Sequence, residues 1–543
     1  MSGYRMCYKK MKNTMILIVF FILCQAVSCA NPVWKPDNGD GTYKNPVIFA
    51  DYSDPDVIRV GDDFYMTASS FNCVPGLPIL HSKDMVNWKL IGHAIQRFED
   101  ERFDMPQHGN GIWAPAIRYH NGWFWIFVGD PDAGILMTKA KKPAGPWEPL
   151  HLVQEGKGLI DTCPLWDDDG NAYLVHAWAN SRAGINSILT VRRMSPDGTK
   201  MLDEGTMVFD GRNGVQPTIE GPKFYKRNGW YYIFAPAGGV KPGWQLALRS
   251  KNVLGPYEAK KVLEQGSTDI NGPHQGGWVE LENGENWFVH FQDRGAYGRI
   301  IHLNPVNWVD DWPLMGVDLD GNGVGEPVSR YKKPDVGKTY PVQVPQTNDQ
   351  FDSKTAGLQW QWHANPKDDW MSLAAHPGWM RLSAVPVPAD SDNLWPVPNL
   401  ILQKFPAPEF TVTARLDFSG LEDGEKTGLI IMGRSYSYLA VEKRASGYHL
   451  IKNTCNGAID GKQEINESSV DCASNTVLLR VKISDGAVCN FSYSNDEKEF
   501  TSIGESFTAR EGKWIGAKVG LFSIAKEKKQ KTGYADYDWF IIE

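Results

Sequence analysis

Three acids lie in apolar stretches, each just ahead of a turn. Asp54 is in "NPVIFADYSDPDVIRV", Asp161 in "GLIDTCPLWDDDG" and Glu220 in "PTIEGPKFYKRNGW". Each precedes a turn residue, Asp62, Asp169 or Asn228, by eight positions. A carboxylate withdrawn from water is costly unless it is paired, so three of them gathered in one place point to chemistry. Two carboxyls can divide the work of general acid–base catalysis: one keeps its proton and donates it, the other is ionised and draws a proton from water. A third carboxylate beside the acid disfavours its ionisation and sets the pair apart. Asp56 reads as part of the turn at Asp54, and Asp167, Asp168 and Asp169 read as a solvated turn.

The elements that must carry these acids are strands. The helical period is almost absent. Five short aromatic runs recur instead, "VGDDFYMTASS", "HNGWFWIFVGD", "DDGNAYLVHAW", "RNGWYYIFAPA" and "ENGENWFVHFQ", each opened by an Asn-Gly or Asp-rich turn that signals a hairpin. Their spacing of about 50–60 residues is that of a repeat architecture with one sheet per copy. Radial packing of small four-stranded sheets protects their edges, which predicts a five-bladed β-propeller over residues 31–330; a sandwich with irregular hairpins is the competing arrangement. The blades' inner strands converge on an axis, where the three acids would meet. After a linker at 331–350, alternating strands without the repeat predict a separate antiparallel β-sandwich over 351–543. The stretch "GVDLDGNGVGEPV" imitates half a calcium loop through Asp318, Asp320, Asn322 and Gly323. Its twelfth position is Ser329, so it reads as a tight polar turn.

Composition narrows the partners. The chain has 543 residues and a formal net charge of -8, which argues against nucleic acid. Twenty-one tryptophans suit β-cores and stacking on sugar rings. Residues 1–30 read as a signal peptide: Lys9, Lys10 and Lys12 precede ten apolar residues, too few for a membrane span, and Ser28 and Ala30 suit a peptidase. Cys29 in "AVSC" offers a lipid anchor as the other reading. Either way the chain is expected to be exported, to the periplasm or cell envelope or as a secreted protein. The five cysteines beyond the leader show no zinc spacing.

The motifs "SDPDVIRVGDDFY", "HGNGIWAPAIRYHNGWFW", "IDTCPLWDDDGNAYLV", "IEGPKFYKRNGWYYIF", "NGPHQGG" and "GRIIHLNPVNWVDDWP" occur in order between about residues 45 and 327 and resemble those of family 43 glycoside hydrolases. The C-terminal region resembles the jelly-roll, concanavalin-like domain of the family's β-xylosidase and arabinofuranosidase members. The resemblance implies an inverting propeller enzyme acting on arabinose- or xylose-bearing glycans. It implies Asp54 as general base, Glu220 as general acid and Asp161 as the group that orients the acid and raises its pKa. It further implies Phe71 and Trp113 as walls of the sugar pocket, Arg299 as a ligand of sugar hydroxyls, and His274 as an axial histidine near a structural calcium, with no cofactor required. One departure stands at Asp161-Thr162-Cys163-Pro164, where many members have Asp-Pro-Ser.

The chemistry agrees with those roles. An inverting glycosidase holds its two carboxyls roughly 6.5–9.5 Å apart so that water fits between base and sugar. The expected activity is release of terminal α-L-arabinofuranose, with β-D-xylose as a second product, from arabinoxylan, arabinan or xyloglucan fragments. A main β-xylosidase activity and a non-catalytic carbohydrate-binding propeller are the alternatives. A sialidase-type propeller is disfavoured, because its Ser-x-Asp-x-Gly-x-Thr-Trp repeats are absent.

Overall fold

The structure, a computed structural model, describes residues 32–212, 214–389, 391–472, 474–527 and 531–543. The expected signal peptide and Cys29 lie outside them.

Five four-stranded antiparallel sheets form the N-terminal part, each a meander of consecutive strands. Their first strands are Asp56–Val60, Trp113–His120, Leu159–Trp166, Lys223–Arg227 and His274–Glu280, and these line the axis of a five-bladed β-propeller. The hairpin signals are borne out. Asn121-Gly122 and Asn228-Gly229 adopt positive φ at both turn positions, the backbone a tight two-residue hairpin requires. Strand Thr42–Lys44 pairs with Arg330–Lys332, so the chain returns to its beginning just past the fifth blade. The first residues of the expected linker thus belong to a strand.

A buried polar ring joins the inner strands. Asp56 pairs with Arg118 at 2.6 Å and accepts the Ile117 N–H at 2.8 Å. Arg118 Nη2 donates to Cys163 Sγ at 2.8 Å, and the Phe224 N–H donates to the same sulfur at 3.2 Å. Trp278 N–H donates to the Tyr225 hydroxyl at 3.0 Å. Blades one to five are thereby linked in series. Asp56 is fully buried and is not the turn residue it resembled. Its charge is compensated by an arginine 62 positions away, which local sequence does not reveal. Asp167 also differs from its expected solvated state: its side chain is 2% exposed and pairs with Lys226, while Asp168 and Asp169 are exposed.

The ring closes at Gly277, whose position leaves no room for a side chain. A Cβ there would lie 2.7 Å from Val57 N and 2.8 Å from Asp56 Oδ1. Gly277→Ala is therefore expected to destabilise the propeller by about 1–3 kcal/mol, through overpacking against a backbone that cannot yield. A lower midpoint in thermal unfolding checks it; an unchanged midpoint would mean the seam is loose.

The C-terminal part is a sandwich of two eight-stranded sheets. One contains Ile401–Lys404, Lys518–Ala525, Glu425–Met432, Tyr436–Arg444, Gly447–Cys455 and Ile465–Cys472; the other contains Met380–Ser383, Tyr534–Ile542, Phe410–Asp417, Thr476–Ser484 and Val488–Ser494. Alternate residues such as Val412, Ala414, Leu416, Leu479 and Val481 fill the space between the sheets. Fully burying a residue such as Leu479 contributes about 1.5–3 kcal/mol. The stretch "LQWQWHANP" packs on the propeller: Val74 and Trp362 exchange backbone hydrogen bonds, and Asn72 Nδ2 donates to the His363 carbonyl at 2.6 Å. Cys73, Cys163, Cys455, Cys472 and Cys489 are all free. The polar stretch near Asp318 is a turn in which Asp318 accepts the N–H groups of Gly321 and Gly323.

Candidate active site

A local backbone device recurs at the head of every inner strand. Asp54, Ala114, Asp161, Gly221 and Gln275 all have positive φ, between 36° and 59°. Asp54, Ala114, Asp161 and Gly221 stand two residues, and Gln275 one residue, before the point where blade pairing begins or resumes. This left-handed step is costly for residues with a Cβ and marks a functional constraint. At Asp54 and Asp161 the two carboxyls come close enough for the charge of one to act on the other. The column corrects the expectation of one shared offset. Asp54 and Asp161 occupy the step itself, whereas Glu220 lies one residue ahead, level with Ser53, Trp113, Ile160 and His274. At Gly221 a Cβ would come within 2.7–3.0 Å of the Gln275 side chain. Glycine there lets the fourth blade approach the fifth and presents Glu220 beside the column.

The three acids share one pocket. Asp54 is 5% exposed; its Oδ1 lies 2.9 Å from Arg299 Nη1, and its Oδ2 accepts the Ser69 hydroxyl at 2.6 Å. Ser69 Oγ in turn accepts the Ala114 N–H at 2.7 Å, which fixes the hydroxyl's direction. Asp161 is 4% exposed and accepts the Gly221 N–H at 2.7 Å. Glu220 accepts no such hydrogen bond; its Oε1 lies 3.7 Å from His274 Nε2.

The environments push the proton affinities up in a defined order. Burial, then the charges of Asp161 and Asp54, raises Glu220 to about 8. Burial raises Asp161 to about 7, opposed by the Gly221 hydrogen bond and reinforced by Asp54. Glu220 is the more readily protonated of the two, because the Gly221 N–H stabilises the Asp161 carboxylate and no backbone donor among the described residues reaches that of Glu220. About a third of the Glu220 side chain meets the open pocket; a sugar that displaces water there strengthens the shift. His274 is fully buried and pushed down to about 3 by burial and Arg299, so it is neutral.

The walls assemble around the acids. Phe71 is buried and paired by backbone hydrogen bonds with Ile112, and its ring meets Trp113 edge-on at 6.3 Å. Arg182 lies 5.9 Å from the Trp113 ring and is itself held by Asn110 and Asp132. Arg299 lies over Phe291 and donates to Ser53 Oγ at 2.9 Å, and its backbone N–H donates to Asp51. All seven residues singled out from the sequence therefore fall at this one end of the axis.

Trp514 was missed. It lies in a loop of the sandwich, 6.4 Å from Trp113 and 6.0 Å from Arg299, and is 44% exposed. Nothing local in "EGKWIGAKVG" marks it, because its partners are hundreds of positions away. A sugar held between Trp113 and Trp514 gains stacking contact that only the two-domain chain provides. Trp514→Ala is expected to raise KM about tenfold with a smaller change in kcat, because it removes binding shared by substrate and transition state. Steady-state kinetics check the split; a change confined to kcat would contradict it.

The expected calcium meets an unsuitable donor set. His274 leaves both ring nitrogens without partners. Calcium, however, takes six to eight oxygen ligands, and the described residues contain no group of three or more His, Cys, Asp or Glu side chains able to hold a metal. These residues build no cage for the ion.

Comparison with known proteins agrees with this geometry. Residues 43–313 match the model described as "Glycosyl hydrolases family 43", and residues 348–543 match the "Beta xylosidase C-terminal Concanavalin A-like domain". A candidate β-xylosidase of Xylanibacter ruminicola is 40% identical over 91% of this chain and 88% of its own. A β-xylosidase of Formosa agariphila is 34% identical over 93% and 91%. A non-reducing end α-L-arabinofuranosidase of Bacteroides ovatus is 29% identical over 92% and 94%. The solved "Bacteroides ovatus Xyloglucan PUL GH43B" superposes with a TM-score of 0.77 at 26% identity, covering 92% of this chain and 99% of that one. With both domains matched along nearly their whole length and three acids on the propeller axis, this chain belongs to glycosyl hydrolase family 43.

Proposed function

We propose that this glycoside hydrolase is an exo-acting, inverting pentosidase whose general base is Asp54 and whose general acid is Glu220. The observation that carries the reading is the divergent surroundings of two carboxyls in one pocket. Asp54 is ion-paired with Arg299, while burial and the charges of Asp161 and Asp54 outweigh the Arg299 charge at Glu220 and favour its protonated form. In the reaction Glu220 protonates the leaving oxygen as the glycosidic bond breaks. Asp54 accepts a proton from water as that water attacks the anomeric carbon from the opposite face. Asp161 holds the Gly221 backbone and lends its charge to the proton affinity of Glu220. Arg299 keeps Asp54 aimed and offers its remaining donors to sugar hydroxyls. No step needs a metal.

On substrate, the order changes from the one expected from sequence. Terminal β-D-xylose becomes the first substrate and terminal α-L-arabinofuranose the second, because the two relatives of higher identity are both named for xyloside cleavage. The arabinofuranosidase relative supports the second activity. Fragments of xylan, arabinoxylan or xyloglucan are the natural substrates in this reading, met outside the cytoplasm after export by the leader.

Aryl β-xyloside and aryl α-arabinofuranoside, assayed side by side, rank the two activities; dominant arabinofuranoside turnover would restore the original order. Proton NMR of the first-formed xylose should show the α anomer, the product of single displacement with inversion. The β anomer appearing first would overturn the mechanism. Tight glycan binding without released monosaccharide would favour the binding-module reading.

A further inference from the structure

Away from the acids, the propeller and the sandwich enclose a second cavity of about 460 Å³. None of Asp54, Asp161, Glu220, Phe71, Trp113, Arg299 and Trp514 lines it. The aromatic side chains of its wall are Trp34, Phe49 and Tyr52, with the Trp34 and Phe49 rings 5.2 Å apart and tilted. Its size and apolar character are those of a small-molecule site, which typically measures about 300–1,000 Å³ and carries a few convergent polar groups.

The polar groups here are unusual in being unsatisfied. Lys404, at the end of a sandwich strand, has its ammonium 5.2 Å from the Tyr52 ring. Among the described residues it makes no ion pair or hydrogen bond through that ammonium. Burial draws its pKa down to about 8; Asp51 and Cys73 oppose the shift and Lys518 adds to it. It therefore remains a cation at neutral pH. Gln403, next to it in sequence and 2% exposed, leaves Nε2 without a partner, and Gln359 leaves Oε1 without one. His93 shares the wall and is held neutral, pushed down to about 3 by burial and by the Lys404 charge. A neutral imidazole supplies one N–H donor.

The lining carries two lysines, Lys404 and the exposed Lys35, with neutral donors beside Lys404, and calls for an anionic group. The flat aromatic walls call for a planar apolar body. Inorganic phosphate would leave the apolar walls uncovered, and a sugar would lose the hydration of its hydroxyls against them.

We propose that this interdomain cavity binds a small aryl carboxylate, with its ring against the wall that Trp34, Phe49 and Tyr52 form and its carboxylate on Lys404 and the Gln403 amide. Such binding gives a partner to the half-buried Lys404 ammonium and to the buried Gln403 amide N–H. It adds a ligand site to the hydrolase, separate from the sugar pocket.

Isothermal titration of the full chain with cinnamate, cinnamyl alcohol and octanoate tests this. Cinnamate is expected to bind at one site per chain, with the alcohol and octanoate each about tenfold weaker. Lys404→Met should weaken cinnamate about tenfold or more and Lys404→Arg should largely retain it, both with aryl-glycoside turnover intact. If Lys404→Met loses its cooperative melt, Gln403→Leu serves instead, with about a threefold loss expected. Absence of saturable heat, equal affinity for acid and alcohol, or loss of the signal in saturating xylose would overturn the proposal. Tighter binding of octanoate than of cinnamate would overturn the aryl assignment.

Discussion

Asp54→Asn is expected to lower kcat/KM by about 10³–10⁴-fold on every glycoside, whatever its leaving group. The amide matches the carboxylate in shape, and its oxygen still accepts from Ser69, whose hydroxyl lies 2.6 Å away in the native chain. What it lacks is the basicity to take a proton from water. The loss must be uniform because water attack is common to all substrates. The variant also removes the counter-charge of Arg299 at 2.9 Å, so a cooperative thermal transition must be shown alongside the kinetics. Azide separates the two explanations. As an anionic nucleophile it needs no base, and it should restore turnover of an activated aryl glycoside and give a glycosyl azide of inverted configuration. A folded variant that keeps a tenth of native activity would remove Asp54 from the role of base.

The second large effect concerns Glu220, and it depends on the substrate. Glu220→Ala should cost about 10³-fold on xylo-oligosaccharides, whose leaving alkoxide must be protonated. On a dinitrophenyl xyloside, which leaves as a stable anion, the loss should stay within about tenfold. Equal losses on both would assign Glu220 a structural task. The pH profile offers a second readout. In the proposed role Glu220 works protonated, so activity should fall as pH rises through about 8, the value to which burial and its two acidic neighbours raise it. Asp161→Asn withdraws one of those neighbouring charges and should move that alkaline limb to lower pH. Glu220→Gln should abolish the limb. A limb that stays in place in both variants would report some other group.

Family resemblance and hairpin spacing together made most of the architecture legible. Five Asn-Gly or Asp-rich turns before aromatic runs are local signals, and a tight turn depends only on the residues that form it. The acids were legible too, as charges in apolar surroundings. The shared offset was half right. Counting from the turns put Glu220 level with Asp54 and Asp161, but the left-handed column at Asp54, Ala114, Asp161, Gly221 and Gln275 sets it one residue ahead. A count of residues cannot register a backbone step whose cause is the approach of a neighbouring blade.

The sequence by itself determined which groups are available: three carboxyls, a repeat that would point them at an axis, and aromatics to wall a pocket. Tertiary structure alone decided their pairing. Asp56 finds Arg118 and becomes a staple between blades; Asp167 finds Lys226 and leaves the solvent; Trp514 crosses from the sandwich to Trp113 on the propeller; and Lys404 lies half-buried without an ion pair. The physical reason is range. Turn geometry and strand alternation act over a few neighbouring residues, whereas the charge state and burial of a side chain depend on whatever the whole fold brings within a few ångströms of it.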